Sequence, residues 1–278
     1  MNRPTSLITL ATLLAGISVT LAQTPAPSVA LSDTEQRTIT SAKIGRSYDL
    51  FISLPENYSA TKQSYPALYV LDGWHFPLMA FLQENNIYSK RMAPVIIVNI
   101  AHSPASDAMK LRAADFSPTP LPQSLGGGGG GASMFLDFFE HELIPFIDRT
   151  YRTNPADRGL LGHSLGGKFA LYALEQRPAL FQRIVAASPA LFPDDSLIDA
   201  DARRALSAIP ASVRLDLSVG SDDELGFAKS TAAFAHVLDQ LKPKGLDYRF
   251  TVYSGENHNS VRLVSFPAGL YWVYHSAR

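Results

Sequence analysis

The stretch Arg158-Gly159-Leu160-Leu161-Gly162-His163-Ser164-Leu165-Gly166-Gly167-Lys168-Phe169-Ala170-Leu171-Tyr172-Ala173-Leu174 opens as a short apolar run, continues with helical spacing, and sets Ser164 between two glycines at the joint. A Gly-x-Ser-x-Gly pentapeptide between a strand and a helix predicts a nucleophile elbow, a sharp turn that lifts the serine hydroxyl above the end of a sheet. The turn brings backbone segments together and holds the serine in strained dihedrals, so a side chain on either neighbour would crowd it. The competing structural reading is a tight turn whose serine only caps the helix.

Working outward, β-rich apolar runs occur at Gln36–Ser41, Tyr48–Leu54, Ala67–Leu71, Pro94–Ile100, Gly159–Gly162, Ile184–Ala187, Arg214–Val219 and Tyr248–Tyr253, and from the third onward they read as buried parallel strands. Helical spacing is clearest over Met134–Arg149 and recurs at Gly166–Glu175, Ala228–Leu241 and Val261–His275. The first two strands are joined by a short connection. An antiparallel start leading into βαβ units predicts an α/β architecture: a mostly parallel sheet of about eight strands with helices on both faces. The six glycines Gly126–Gly131 read as a surface connection, with a mobile flap beside the active site as the alternative.

A serine hydroxyl needs a base, and in an elbow architecture acid and histidine follow it in that order. His236 and His275 fall in helical patterns, whereas His258 lies in the loop after the last strand. Its place at the carboxyl end of a strand makes His258 the candidate base. The strand ending at Val219 leads into Gly220-Ser221-Asp222-Asp223-Glu224, which offers three carboxylates. Asp223 is preferred because Gly-x-x-Asp spacing carries it clear of the strand, with Asp222 and Glu224 as alternatives. An oxyanion needs two preorganised N–H groups; Leu165, after the nucleophile, supplies one, and the loop Asp72-Gly73-Trp74-His75 supplies the other through Trp74, with Gly73 letting the backbone turn. Trp74 and His75 are candidates to line the acyl pocket, against plain packing. His163 is expected to support the elbow from behind.

Composition narrows the classes. The 278 residues are 46% apolar, enough for one large core with no polar stretch to divide it. A net charge of −1 without a basic block argues against nucleic acid as a partner. Cysteine is absent and the seven histidines are scattered, so no metal or other cofactor is expected. Arg3 followed by the apolar run Leu7–Ala22 predicts a signal peptide at 1–22 cleaved after Ala22, slightly too short to span a bilayer, with an uncleaved anchor as the alternative, then a linker at 23–35 and a catalytic domain at 36–278. A periplasmic or secreted protein without stable membrane insertion is expected.

Beyond these readings, the chain resembles bacterial esterases of the esterase D type, and among them the periplasmic trilactone esterases that open enterobactin-like siderophores. The resemblance rests on Leu68-Tyr-Val-Leu-Asp-Gly73, Leu111-Arg-Ala-Ala-Asp-Phe-Ser-Pro-Thr-Pro120, Phe135-Leu-Asp-Phe-Phe-Glu-His-Glu-Leu-Ile-Pro-Phe-Ile-Asp148, Tyr151-Arg-Thr153, and Leu161-Gly-His-Ser-Leu-Gly-Gly167 with Phe169-Ala-Leu-Tyr-Ala173. It implies an α/β-hydrolase fold, hydrolysis of small-molecule carboxylic esters, and nucleophile and base roles for Ser164 and His258. The family's acid is not uniform, and its substrates extend to feruloyl and acetyl esters and to acyl transfer. A ferric catecholate is anionic, which makes Arg112 and Lys110 candidate substrate contacts; their alternative is ordinary exposed charge. A general carboxylesterase, an acyltransferase on the same residues, and a non-catalytic binder remain the other readings.

Overall fold

A computed structural model describes residues 31, 33–103, 107–123, 127–191, 199–209 and 212–275. The predicted signal peptide at 1–22 and most of the linker at 23–35 lie outside the described residues. The first strand, β1 (Thr34–Thr40), begins within the last two linker positions.

Eight strands form one sheet: β1, β2 (Ser47–Ser53), β3 (Tyr65–Leu71), β4 (Ile96–Ser103), β5 (Thr153–His163), β6 (Arg183–Ala187), β7 (Val213–Gly220) and β8 (Leu246–Tyr253). Their spatial order is β1-β2-β4-β3-β5-β6-β7-β8. β1, β2 and β4 pair antiparallel, and every pair from β4 through β3 to β8 is parallel. Each predicted strand is present. The chain steps from β3 outward to β4 and then returns to the other flank of β3 as β5, so the winding direction reverses between β3 and β5. A crevice opens at the carboxyl ends of strands at such a reversal, and ligands bind there in open α/β sheets.

Alternation along β3 shows how the sheet divides the core. Ala67, Tyr69 and Leu71 point into one apolar layer, and Leu68 and Val70 into the other. The first layer is covered by α2 (Ala108–Phe116), α3 (Ala132–Phe138), α4 (Ile144–Thr150), α5 (Leu165–Gln176), α6 (Ala200–Ser207) and α7 (Phe227–Leu241). The second is covered by α1 (Phe76–Ser89) and α8 (Val261–Val273). β8 is an edge strand and half-buried rather than buried, because no strand pairs along its outer side.

The helix predicted over 134–149 is interrupted. α3 and α4 are joined by a π turn at Phe139–Leu143, and Pro145 stands in the first turn of α4. Proline has no N–H for the carbonyl four residues back and its ring presses on that carbonyl, so the turn before it widens. In the glycine run Gly126 lies outside the described residues, and Gly127–Gly130 all have positive φ and fold against the end of α2. The amide of Leu121 donates to the Gly128 carbonyl at 2.6 Å, that of Gly130 to Ser117 at 2.9 Å, and that of Gly131 to Ala114 at 3.0 Å.

Candidate active site

Ser164 joins β5 to α5 with φ 60° and ψ −123°, in the half of backbone space that a non-glycine residue rarely occupies. Its surroundings hold it there. The Ser164 amide donates to the Ala187 carbonyl at 3.0 Å, and its own carbonyl accepts from Lys168 at 2.9 Å and Ala190 at 3.0 Å. A β-carbon at Gly162 would stand inside the carbonyl of Gly166, so only glycine allows the chain to fold back this tightly.

His258 approaches from the loop between β8 and α8. Its Nδ1 lies 3.0 Å from Oδ2 of Asp223, and both residues are buried. An ionised carboxylate only accepts, so the proton sits on Nδ1 and the lone pair is on Nε2. Of the three acids after β7, Asp223 alone is buried, whereas Asp222 and Glu224 are exposed. The second oxygen of Asp223 accepts from the Leu225 amide at 3.1 Å. The acid and histidine loops interlock: the Asp222 amide donates to the Glu256 carbonyl at 3.0 Å, and a β-carbon on Gly220 would collide with that same carbonyl.

His163 ties this assembly to the elbow. Its Nε2–H donates to the His258 carbonyl at 2.7 Å, and the two rings lie 4.5 Å apart between centroids. Burial above all, and then the charge of His258, holds the His163 imidazole well below the usual histidine range. It therefore stays neutral. Phe227, at the start of α7, packs edge-on against the other imidazole at 5.1 Å.

The first N–H groups of a helix have no partner within it and carry its positive end. Leu165 is the first residue of α5, and Trp74 lies in the single 3-10 turn Gly73–His75 after β3. These two amides flank the β3/β5 crevice. The residue that turns the backbone here is Asp72, with φ 66°, and not Gly73, whose missing side chain is instead required by Ala101 packed against it. Arg112 of α2 forks onto Asp72, Nε to Oδ1 at 2.8 Å and Nη2 to Oδ2 at 2.9 Å. Both side chains are buried, so Arg112 is neither an exposed charge nor a group that reaches outward to an anion. Lys110 is exposed on the same helix.

His75 is buried behind the turn rather than lining an open pocket. Its ring meets Phe266 edge-on at 5.0 Å and His163 at 6.3 Å, and burial lowers its pKa to about 4. Trp74 is 48% exposed and stands 5.4 Å from the Arg112 guanidinium.

The sequence model of the family described as "Putative esterase" matches residues 41–270, which contain every residue of this site. The chain belongs to this esterase family. It is a carboxylic-ester hydrolase of α/β-hydrolase fold. The esterase is 28% identical over 261 residues to the ferri-bacillibactin esterase BesA of Bacillus subtilis, covering 87% of this chain and 90% of the relative. Among solved structures it is similar to the BES protein of Bacillus cereus (27% identity, TM-score 0.82, 91% of this chain and 99% of that one). It is also similar to an IroE-like serine hydrolase of Shewanella oneidensis (27% identity, TM-score 0.76, 87% and 80%).

One residue of the esterase's site escapes a motif reading. Arg262 follows His258 by four positions in the first turn of α8, its Nε donating to the Asn259 carbonyl at 2.8 Å. Among the described residues it has no carboxylate partner, and its charge adds to burial in keeping His75 and His163 neutral. The usable signal was position alone, an arginine one helical turn beyond the candidate base.

Proposed function

We propose that the protein hydrolyses siderophore esters through a Ser164–His258–Asp223 triad and an acyl-enzyme. The observation that carries this reading is the 3.0 Å contact of His258 Nδ1 with the buried carboxylate of Asp223, set beside a serine in elbow dihedrals. His258 Nε2 takes the Ser164 proton as the hydroxyl oxygen attacks the ester carbonyl. The Leu165 and Trp74 amides receive the oxyanion, and Asp223 stabilises the imidazolium. His258 returns the proton to the leaving alcohol. Water then attacks the acyl-enzyme by the same route in reverse, releasing acid and free serine.

A siderophore ester is supported by the substrate in the name of the Bacillus subtilis relative and by two features of the mouth: the half-exposed Trp74 indole and the uncompensated Arg262 cation. A ferric catecholate offers aromatic edges and negative charge to both. Export follows from the 1–22 segment, and amino-terminal sequencing of the mature protein should begin at Gln23.

The test is a hydrolysis panel of nitrophenyl acetate, methyl ferulate and a ferric triscatecholate trilactone. Ser164→Ala should lower turnover of every substrate by about 10⁴-fold or more with an unchanged folded spectrum. Retained turnover overturns the triad; preference for the ferulate over the trilactone overturns the substrate.

A further inference from the structure

At the end of the sheet away from Ser164 lies a cavity of about 700 Å³, walled by Lys90, Arg91, Arg214, Arg249, Tyr271 and Trp272 among others. Its position follows from the elements. Gly220, the last residue of β7, abuts the His258 loop, whereas Arg214 is the second residue of that strand, roughly 20 Å back along it at ~3.3 Å per residue. Likewise α8 starts beside His258 and runs to Val273, so Tyr271 and Trp272 stand at its far end. The volume falls in the range of about 300–1,000 Å³ typical of small-molecule sites.

The chemistry of the wall is one-sided. Arginines, a lysine and His275 line it, and no carboxylate does. Three of these cations already have carboxylate partners: Lys90 pairs with Glu56 and Arg214 with Asp247, both at 3.3 Å, and Arg249 pairs with the buried Asp216 while donating to the Ala268 carbonyl at 2.8 Å. Arg91 has no carboxylate partner among the described residues and lies 4.1 Å above the Tyr271 ring. Arg214 and Arg249 lie 4.3 and 5.1 Å from the Trp272 ring. A guanidinium already stacked on a ring is positioned in advance and loses less entropy when it forks onto an anion, and its outer face can itself stack on a flat aromatic body.

We propose that this cavity is a binding site for an aromatic carboxylate, separate from the esterase site. An inorganic anion would satisfy Arg91 and leave Tyr271, Trp272 and Met92 unused. A neutral aromatic would do the reverse.

The chain has two tryptophans, Trp74 on the turn after β3 and Trp272 in this cavity, so the two ends of the sheet carry separate indole N–H reporters. In a ¹H–¹⁵N spectrum of the full chain, with the two indole signals assigned by Trp74→Phe, 2-naphthoate should move the Trp272 signal with a Kd of about 1 mM or tighter. The Trp74 signal should not follow it. Arg91→Gln, an exposed position whose loss leaves the core intact, should weaken binding at least about fivefold. Phosphonylation of Ser164 should leave the titration unchanged. The proposal is overturned if 2-naphthamide or inorganic phosphate shifts Trp272 equally, if Arg91→Gln binds as well as wild type, if only Trp74 responds, or if nothing moves at about 10 mM ligand.

Discussion

Three adjacent acids after β7 are chemically near-equivalent in the sequence, and burial separates them. Asp223 turns inward to His258 Nδ1 while Asp222 and Glu224 face water. Asp223→Asn should therefore lower kcat by about 10²–10⁴, because an amide presents no anion to orient the imidazole and stabilise its charge. Asp222→Asn and Glu224→Gln should each stay within about threefold of wild type in the same assay. The Asp72–Arg112 pair is the contrasting case. Its members are 40 residues apart, so no local spacing announces it, and an arginine in a polar stretch reads as a surface charge. Arg112→Met should strand a buried carboxylate, lowering unfolding stability by about 3–5 kcal/mol in urea titration. It should also cut kcat more than it raises KM, since the turn bearing the Trp74 amide loses its anchor.

Among the elements, those with one apolar stripe or one apolar run were legible: all eight strands, and helices α5, α7 and α8 to within two residues. α1 was not, because its first half is apolar all round and its second half is the polar Gln83-Glu84-Asn85-Asn86, which leaves no stripe to detect. α2 and α6 are short and flanked by loop-like sequence. Within α5, Glu175 is half-buried and has one carboxylate oxygen without a partner; burial raises its pKa from 4.5 to about 7. The folded state thus favours the neutral acid. Its contribution to stability is complete below about pH 4.5 and is lost as pH rises through 7. Glu175→Gln should raise the melting temperature relative to wild type at pH 8.5 and not at pH 4; an equal effect at both would show that charge is not the cause.

For the whole molecule, the acid limb has the opposite sign. His75 and His163 are buried and neutral, with pKa values pulled to about 4 and well below the normal range. Groups whose folded pKa is depressed stabilise the fold fully above their unfolded value of about 6.5 and withdraw that contribution as pH falls toward the folded one. Melting temperature should fall between pH 6.5 and 4, and His75→Gln should shrink that fall. The supporting place of His163 was legible because it ends β5 directly before Ser164, and plain packing was one of the two readings of His75; their mutual contact was not, since it exists only once the sheet brings β3, β5 and the His258 loop to one end. The gross plan was legible because apolar runs and their order determine which layers close on which.

The glycine loop behind α2 is a short piece of chain written in the opposite hand to the rest of the molecule. Four successive residues hold φ between 66° and 95°. At Gly129 volume and chirality both exclude a side chain, because a β-carbon would meet the Thr119 carbonyl, whereas Gly128 has nothing within 4 Å of where a β-carbon would stand and there the filter is chirality alone, so alanine is penalised as surely as leucine. Asparagine, the side chain most at ease with that hand, is the replacement that descendants of this sequence should carry at position 128.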